Sequence, residues 1–195
     1  NMLNFLSKSN KFCPHFHLSL QSACDKTLKS MNRHYSVEDY LMLIDKINNT
    51  FELPFIGSDI IAGFAGESEE DFEVTVDNLS KSGLTQIHTF PYSIRKGTAG
   101  ASFDNQVDDS VKEKRADIIK ALSRKKYDEF IKKNIGTVQE VLIEKHADKE
   151  TGYLKGITRN YITVLLNSKD TEKTNTLLNL KITEYKNGKV YAELI

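Results

Sequence analysis

The sequence predicts an α/β fold: a partial (βα) barrel over residues 1–107, a long connecting helix at 108–133, and a small antiparallel β-barrel of the OB type at 134–195. Three observations predict it. Strand-like and helix-like periods alternate through the first 107 residues, one uninterrupted helical period follows, and five short strand-like runs close the chain. The 195 residues include 39% hydrophobic types, enough to bury a core.

His15 to Leu20 reads as a first strand with Phe16, Leu18 and Leu20 on one face. Ser36, with Asp39 three residues on, is a helix start, and Val37, Tyr40, Leu41, Ile44 and Ile47 follow on one face. Phe55–Ile56 and Ile60 to Ala62 give a buried second strand. Ser68 opens another helix, carried by Phe72, Val76 and Leu79 and stopped by Gly83. Thr85 to Phe90 is the third strand. This β-α-β-α-β order requires a parallel sheet with crossover helices. Three strands are few for such a sheet, and a closed barrel of eight units takes roughly 250 residues, so a portion of a larger barrel is expected.

The helix at 108–133 carries Val111, Ile118, Ile119, Leu122, Tyr127, Phe130 and Ile131 as its apolar stripe and ends at Gly136. Short runs around Val138–Ile143, Tyr153–Leu154, Tyr161–Leu166, Leu178–Ile182 and Val190–Leu194 follow, with Asn187-Gly188 as a hairpin turn.

Lys+Arg and Asp+Glu are both 27, but the charge is graded. It is net −4 over 1–107, +3 over 108–133 and +1 over 134–195, so RNA would need a local basic patch rather than a basic tail. No run of about 18 apolar residues is present, so no transmembrane helix is expected. The first six residues lack a basic region and no small-residue cleavage site follows, so no signal peptide is expected. Two cysteines, Cys13 and Cys24, make no disulfide framework, which points to a reducing cytoplasm. Two cysteines also cannot hold an iron–sulfur cluster or a four-cysteine zinc site by themselves.

Chemistry-bearing residues gather where the strands end, the binding face of βα folds. Ser19, Gln21 and Ser22 follow the first strand and can hydrogen-bond a ribose or a carboxylate; Ser22 or Asp25 could equally cap the next helix. Arg33 precedes a helix start, where a guanidinium can clamp a carboxylate, though a solvated arginine is the commoner case. Asp59 to Glu67, with Gly63 and Gly66, ends the second strand in a turn that admits close approach of a ligand. Phe90, Tyr92, Arg95 and Lys96 end the third, combining aromatic faces with cations as nucleotide contacts do. His15 and His17 share a strand face, a weak metal hint beside the commoner structural role.

Taken together and in order, four stretches carry a specific resemblance: Cys-Pro-His-Phe-His-Leu-Ser-Leu-Gln-Ser at 13–22, Met-Asn-Arg-His-Tyr-Ser at 31–36, Asp-Ile-Ile-Ala-Gly-Phe-Ala-Gly-Glu at 59–67 and Phe-Pro-Tyr-Ser-Ile-Arg-Lys-Gly-Thr at 90–98. They closely resemble the second half of the radical S-adenosylmethionine methylthiotransferases, and the β-rich tail resembles the TRAM domain that closes those enzymes. The resemblance implies half of a radical S-adenosylmethionine barrel and a cytoplasmic tRNA-modifying transferase using S-adenosylmethionine and two [4Fe–4S] clusters. The 13–22 stretch looks most like the branch that methylthiolates C2 of N6-threonylcarbamoyladenosine at tRNA position 37, because Ser19-Leu20-Gln21 stands where the other branches show Pro-Leu-Gln. The alternatives are the isopentenyladenosine branch and a non-catalytic RNA-binding module.

By the same resemblance, Ser19, Gln21, Ser22, Arg33, Asp59, Gly63, Glu67, Phe90 and Tyr92 are candidate cofactor contacts. Arg95, Lys96, Lys155, Arg159 and Tyr161 are candidate substrate or RNA contacts. The implied partners are the tRNA anticodon loop and an N-terminal half bearing the cluster cysteines. No catalytic residue and no metal ligand is assigned, so this stretch alone is expected to be inactive. Ala23 and Ala65 stand where the family commonly has Gly and Pro.

Overall fold

The computed structural model describes residues 2–168 and 173–195, so residues 169–172 of the expected barrel region lie outside the described residues. After a short helix α1 (Met2–Leu6), the chain forms β1 (His15–His17), α2 (Asp25–Ser30), α3 (Val37–Thr50), β2 (Phe55–Ala62), α4 (Glu69–Lys81) and β3 (Gln86–Pro91). The strands make one parallel sheet in the order β1-β2-β3. Both expected helix starts are present as reciprocal capping boxes, Ser36 with Asp39 and Ser68 with Asp71.

The strand period of two sorts the sheet into unlike faces. Phe16, Ile56, Ile60 and Ile87 face the helices and join Ile44, Ile47, Phe72, Leu79 and Ile119 in one core. His15, His17, Asp59, Gln86 and His88 occupy the other face, and none of them is buried. That open polar face carries the candidate site.

Gly83 does not stop α4 as a left-handed cap. The cap is Ser82 in extended conformation. Gly83 instead admits α3, since a Cβ there would lie 2.4 Å from Asn48 Nδ2, which donates to the Gly83 carbonyl at 3.1 Å.

The helix α5 (Asp109–Asn134) follows a 3-10 turn at Ala99–Ser102. Its buried face carries most of the expected apolar stripe but is shared with polar groups. Ile118 is exposed, while Lys112, Arg115, Ser123, Lys126 and Asn134 are buried beside Ala116, Ile119, Phe130 and Ile131. Pairing explains this, because buried polar groups persist where they find partners. Arg115 meets Glu67 and Glu69 at 2.8 and 2.9 Å. Ser123 Oγ accepts the Ile87 amide at 2.8 Å. Lys126 Nζ donates to the carbonyls of Ser80 and Ser82, placing a cation at the C-terminal end of α4 even though burial pulls its pKa down. The helix ends at Ile135, and Gly136 takes the left-handed conformation, φ +87°.

Five strands follow: β4 (Val138–Ile143), β5 (Leu154–Thr158), β6 (Thr163–Leu166), β7 (Leu177–Lys186) and β8 (Lys189–Leu194). They close a barrel in the order β4-β5-β6-β8-β7. Asn187 and Gly188 both have positive φ, as the tight turn between β7 and β8 requires. The expectation of wholly antiparallel pairing is corrected at one place, for β6 and β8 run parallel. β8 returns from its hairpin with β7 into the gap beside β6, and barrel closure fixes its direction.

The barrel docks on the N-terminal end of the parallel sheet. Phe55, Phe130 and Ile131 belong to its apolar core. Asn160 Nδ2 donates to the Leu53 carbonyl and to Asn134 Oδ1, both at 2.9 Å. The Tyr161 and His15 rings lie 4.1 Å apart.

Candidate functional site

The site begins with an irregularity in β1. His17 pairs with Gly57, yet Gln21 pairs with Ile60, so four steps along one strand oppose three along the other. The extra residue is a bulge. It releases backbone carbonyls, and two tyrosines catch them. Tyr40 Oη, on α3, donates to the Leu18 carbonyl, and Tyr35 Oη, in the lead-in to that helix, donates to the Leu20 carbonyl at 2.9 Å. Burial pushes the Tyr40 phenol up to about 12, so it remains a donor at neutral pH. Ser58 Oγ accepts the Leu20 amide at 3.3 Å. Held this way, Gln21 sits at φ +74°, a conformation rare for a side-chain-bearing residue and common at ligand sites.

Beyond the bulge, a cleft of about 820 Å³ opens at the C-terminal ends of the strands. Ile61, Phe64, Phe90 and Tyr92 supply an apolar wall. The Phe64 and Tyr92 rings meet edge-on at 4.9 Å. Gly100 packs tightly here, since a Cβ would lie 2.5 Å from Tyr92 Oη. Gln21, Asn32, Arg33, Asp59 and Arg95 supply polar groups. Asn32 takes a left-handed conformation, φ +57°, just after the α2 cap Met31, and this turn brings Arg33 to the cleft. Asp59 Oδ2 lies 3.0 Å from His17 Nε2 and accepts from Ser19 Oγ at 3.3 Å. His88, register partner of Asp59, stacks with His17 at 5.6 Å between centroids. Such a cleft suits a ligand combining a flat ring, hydroxyls and a carboxylate.

Of the residues singled out in the sequence, Gln21, Arg33, Asp59, Phe90, Tyr92 and Arg95 line this cleft, and Ser19 reaches it through Asp59. Three others are placed elsewhere, and each has a structural partner that explains why. Ser22 is fully buried, accepts the Cys24 amide and faces Thr75 Oγ1 at 3.5 Å. Gly63 packs on Lys112, whose Cγ a Cβ would approach to 2.5 Å. Glu67 is buried and accepts from the Gly63 amide and Arg115; burial pushes its carboxyl up against the opposing pull of those donors. Neither Ser22 nor Asp25 caps α2: its N-cap is Cys24, and Asp25 accepts the Val37 amide instead. The sequence reading missed Asn32, Ile61 and Phe64 as lining, and it missed the two tyrosines that hold the bulge. The available signals were an asparagine after a short helix and the polar ends of two otherwise apolar positions.

The candidate RNA contacts divide similarly. Lys96 is exposed beside Arg95. Lys155 pairs with Glu144 at 2.7 Å, at the surface of the barrel. Tyr161 is exposed, with its ring tilted against that of His15. Arg159 is committed to the protein: it donates to the carbonyls of Asn10 and Phe12 and pairs with Glu140. It ties the barrel to the first segment and leaves little for a phosphate.

Cys13 is exposed, while Cys24 is buried against Asp71. Among the described residues no group of three or more His, Cys, Asp or Glu side chains is arranged to hold a metal ion, and a cysteine-ligated cluster does not fit them. On the shared face, His15 stacks on Phe55 and His17 pairs with Asp59. Among the same residues no helix is long and apolar enough to cross a membrane.

Residues 1–79 match the radical SAM superfamily. The chain is 39% identical over 189 residues to the tRNA-2-methylthio-N(6)-dimethylallyladenosine synthase of Caldicellulosiruptor saccharolyticus, covering 95% of the chain and 39% of that relative. It is 35% identical over 195 residues to the synthase of the same name from Fusobacterium nucleatum, covering 100% and 45%. A third, from Alkaliphilus oremlandii, is 35% identical over 200 residues, covering 100% and 41%. The chain thus spans about two fifths of the length of the curated relatives it matches. These relatives are named for the dimethylallyl branch, so they give no support to the expected threonylcarbamoyladenosine branch and favour the isopentenyladenosine alternative. The residue that suggested the former, Ser19, contacts Asp59 and is not among the cleft-lining residues.

Proposed function

We propose, from this similarity and the cleft geometry, that the chain is the S-adenosylmethionine-binding and tRNA-facing part of a tRNA methylthiotransferase acting on N6-dimethylallyladenosine. The observation that carries this reading is positional. Four of the seven singled-out residues that line the cleft or reach it through Asp59, namely Ser19, Gln21, Arg33 and Asp59, lie within the 79 residues that match the radical SAM superfamily, and the cleft sits at the strand ends where βα folds bind ligands.

The donor set fits S-adenosylmethionine. The guanidinium of Arg33 suits the methionine carboxylate, bidentately. Phe64, Phe90 and Tyr92 give the adenine an apolar wall, and Gln21 and Asp59 offer hydrogen-bonding partners for ribose. When bound, S-adenosylmethionine supplies a transferable methyl group and, on reductive cleavage, a carbon radical. The [4Fe–4S] clusters that such chemistry uses do not fit the described residues, so their ligands come from outside them. Within this chain the residues bind, orient and shield. Arg95 and Lys96, on the loop that closes the cleft, and Lys155 on the barrel are cations placed for the phosphates of a tRNA anticodon arm.

Titration calorimetry of the 195-residue chain with S-adenosylhomocysteine tests the reading. Saturable binding is expected, and Arg33→Ala lowers affinity about tenfold or more, the cost of a charge-assisted hydrogen-bond pair. Absence of binding, or an Arg33→Ala variant that binds like the parent, contradicts it.

A further inference from the structure

A second hollow, of about 440 Å³, adjoins the cleft where β3 gives way to the following loop. Pro91, Tyr92 and Ser93 line both spaces, so Tyr92 is the partition between them. Its ring has two neighbours that hold it: Phe64 meets it edge-on at 4.9 Å, and Lys112 Nζ lies 5.8 Å from its centroid. Lys112 comes from the start of α5, whose Asp109 and Glu113 join Ile94 in completing the lining.

The hollow combines an apolar wall with a negative rim. Pro91 and Tyr92 are half-buried, and Ile94 is a large apolar side chain left 52% exposed. A hydrocarbon group seated there removes that surface from water. The Lys112 ammonium is answered by Asp109 at 2.9 Å. Glu113 is exposed and makes no ion pair among the described residues. Arg33 and Arg95 belong to the lining of the cleft and not to that of the hollow. A carboxylate entering the hollow therefore meets Glu113 with no uncommitted cation in the lining to offset it. The two modified adenosines differ in this respect. Both carry their substituent on N6, but dimethylallyl is a neutral branched hydrocarbon, whereas threonylcarbamoyl ends in a carboxylate.

We propose that the hollow beside Tyr92 receives the N6 substituent of the target adenosine, with Ile94 selecting for a dimethylallyl group and Glu113 selecting against a threonylcarbamoyl one. The inference rests on the reading that the chain acts on an N6-modified adenosine of tRNA, and it deepens that reading by naming the side chains that choose between substrates.

The test measures equilibrium binding of the free nucleosides N6-dimethylallyladenosine and N6-threonylcarbamoyladenosine to the 195-residue chain, with S-adenosylhomocysteine titrated in parallel. The parent prefers the dimethylallyl nucleoside by about tenfold. Ile94→Ser, at an exposed position, weakens the dimethylallyl nucleoside about fivefold and leaves the other unchanged. Glu113→Lys strengthens the threonylcarbamoyl nucleoside about fivefold, a gain that misfolding cannot produce, and the gain shrinks as salt is raised. A parental preference that neither substitution alters overturns the proposal and leaves the dimethylallyl reading standing. Equal binding of the two nucleosides by the parent also overturns it. A parent that prefers the threonylcarbamoyl nucleoside overturns the proposal and the dimethylallyl reading together. A parent that binds S-adenosylhomocysteine but neither nucleoside overturns the proposal alone, and one that binds none of the three overturns it along with the S-adenosyl reading.

Discussion

Glu67→Ala destabilises the chain by about 3–5 kcal/mol, the cost of stranding a buried charge. Glu67 and Arg115 are both buried side chains, 1% and 6% exposed, joined at 2.8 Å. The same Glu67 oxygen accepts the Gly63 amide at 3.0 Å. Removing the carboxylate leaves a guanidinium under the turn that follows β2, with only the backbone carbonyl of residue 67 and the exposed Glu69 to answer it. Glu67→Gln keeps an oxygen at that point for both donors, so its loss is smaller. Urea unfolding checks this: the midpoint falls for Glu67→Ala, falls less for Glu67→Gln, and the slope is unchanged in both. A midpoint within experimental error of the parent for Glu67→Ala contradicts the view that this pair holds α5 to the site's foundation.

The second large effect lies in the barrel. Gly156→Val costs about 3 kcal/mol or more, at the upper end of overpacking penalties, because the obstruction includes backbone. A Cβ at Gly156 would meet Val141 Cγ1 at 2.5 Å, the Leu142 carbonyl oxygen at 2.9 Å and Ile143 Cδ1 at 3.1 Å. These atoms belong to β4, the partner of β5 in the closed barrel, and a paired strand cannot retreat without opening the ladder. Thermal unfolding of Gly156→Val is expected well below the parent. Because the barrel shares Phe55 and Phe130 with the α/β part, the loss should appear in one cooperative transition. Separate melting of the barrel at an unchanged temperature for the rest contradicts that shared core.

Local signals carried much of the fold into view. Ser36 with Asp39 and Ser68 with Asp71 are recognisable because a capping box needs only four consecutive residues. Asn187-Gly188 is recognisable because both residues accept positive φ. What stayed hidden depends on partners distant in sequence. Lys112, Arg115 and Lys126 look like a solvated helix face until Glu67, Ser80 and Ser82 are brought beneath them. Gly83 looks like a stop until Asn48 packs over it.

The candidate site divides along the same line. Asp59, Phe90 and Tyr92 stand out as unusual types at strand ends, and Arg33 stands out before a helix start. The bulge that sets Gln21 in the cleft depends on two hydroxyls from α3 and its lead-in, which a reading of Tyr40 as an apolar helix position cannot anticipate. Glu67 and Gly63 share a motif with Asp59 but point their chemistry into the fold. Arg159 has the composition of an RNA contact, yet its donors are spent on Asn10, Phe12 and Glu140.

The most direct test of the account is the nucleoside content of tRNA from cells in which the gene encoding this chain is deleted. Mass analysis of the digested tRNA should show loss of the 2-methylthio form of N6-dimethylallyladenosine, with accumulation of the unmethylthiolated nucleoside. Unchanged levels of that form, together with loss of the 2-methylthio derivative of threonylcarbamoyladenosine, would contradict the proposed substrate. Unchanged levels of both would contradict the proposed activity.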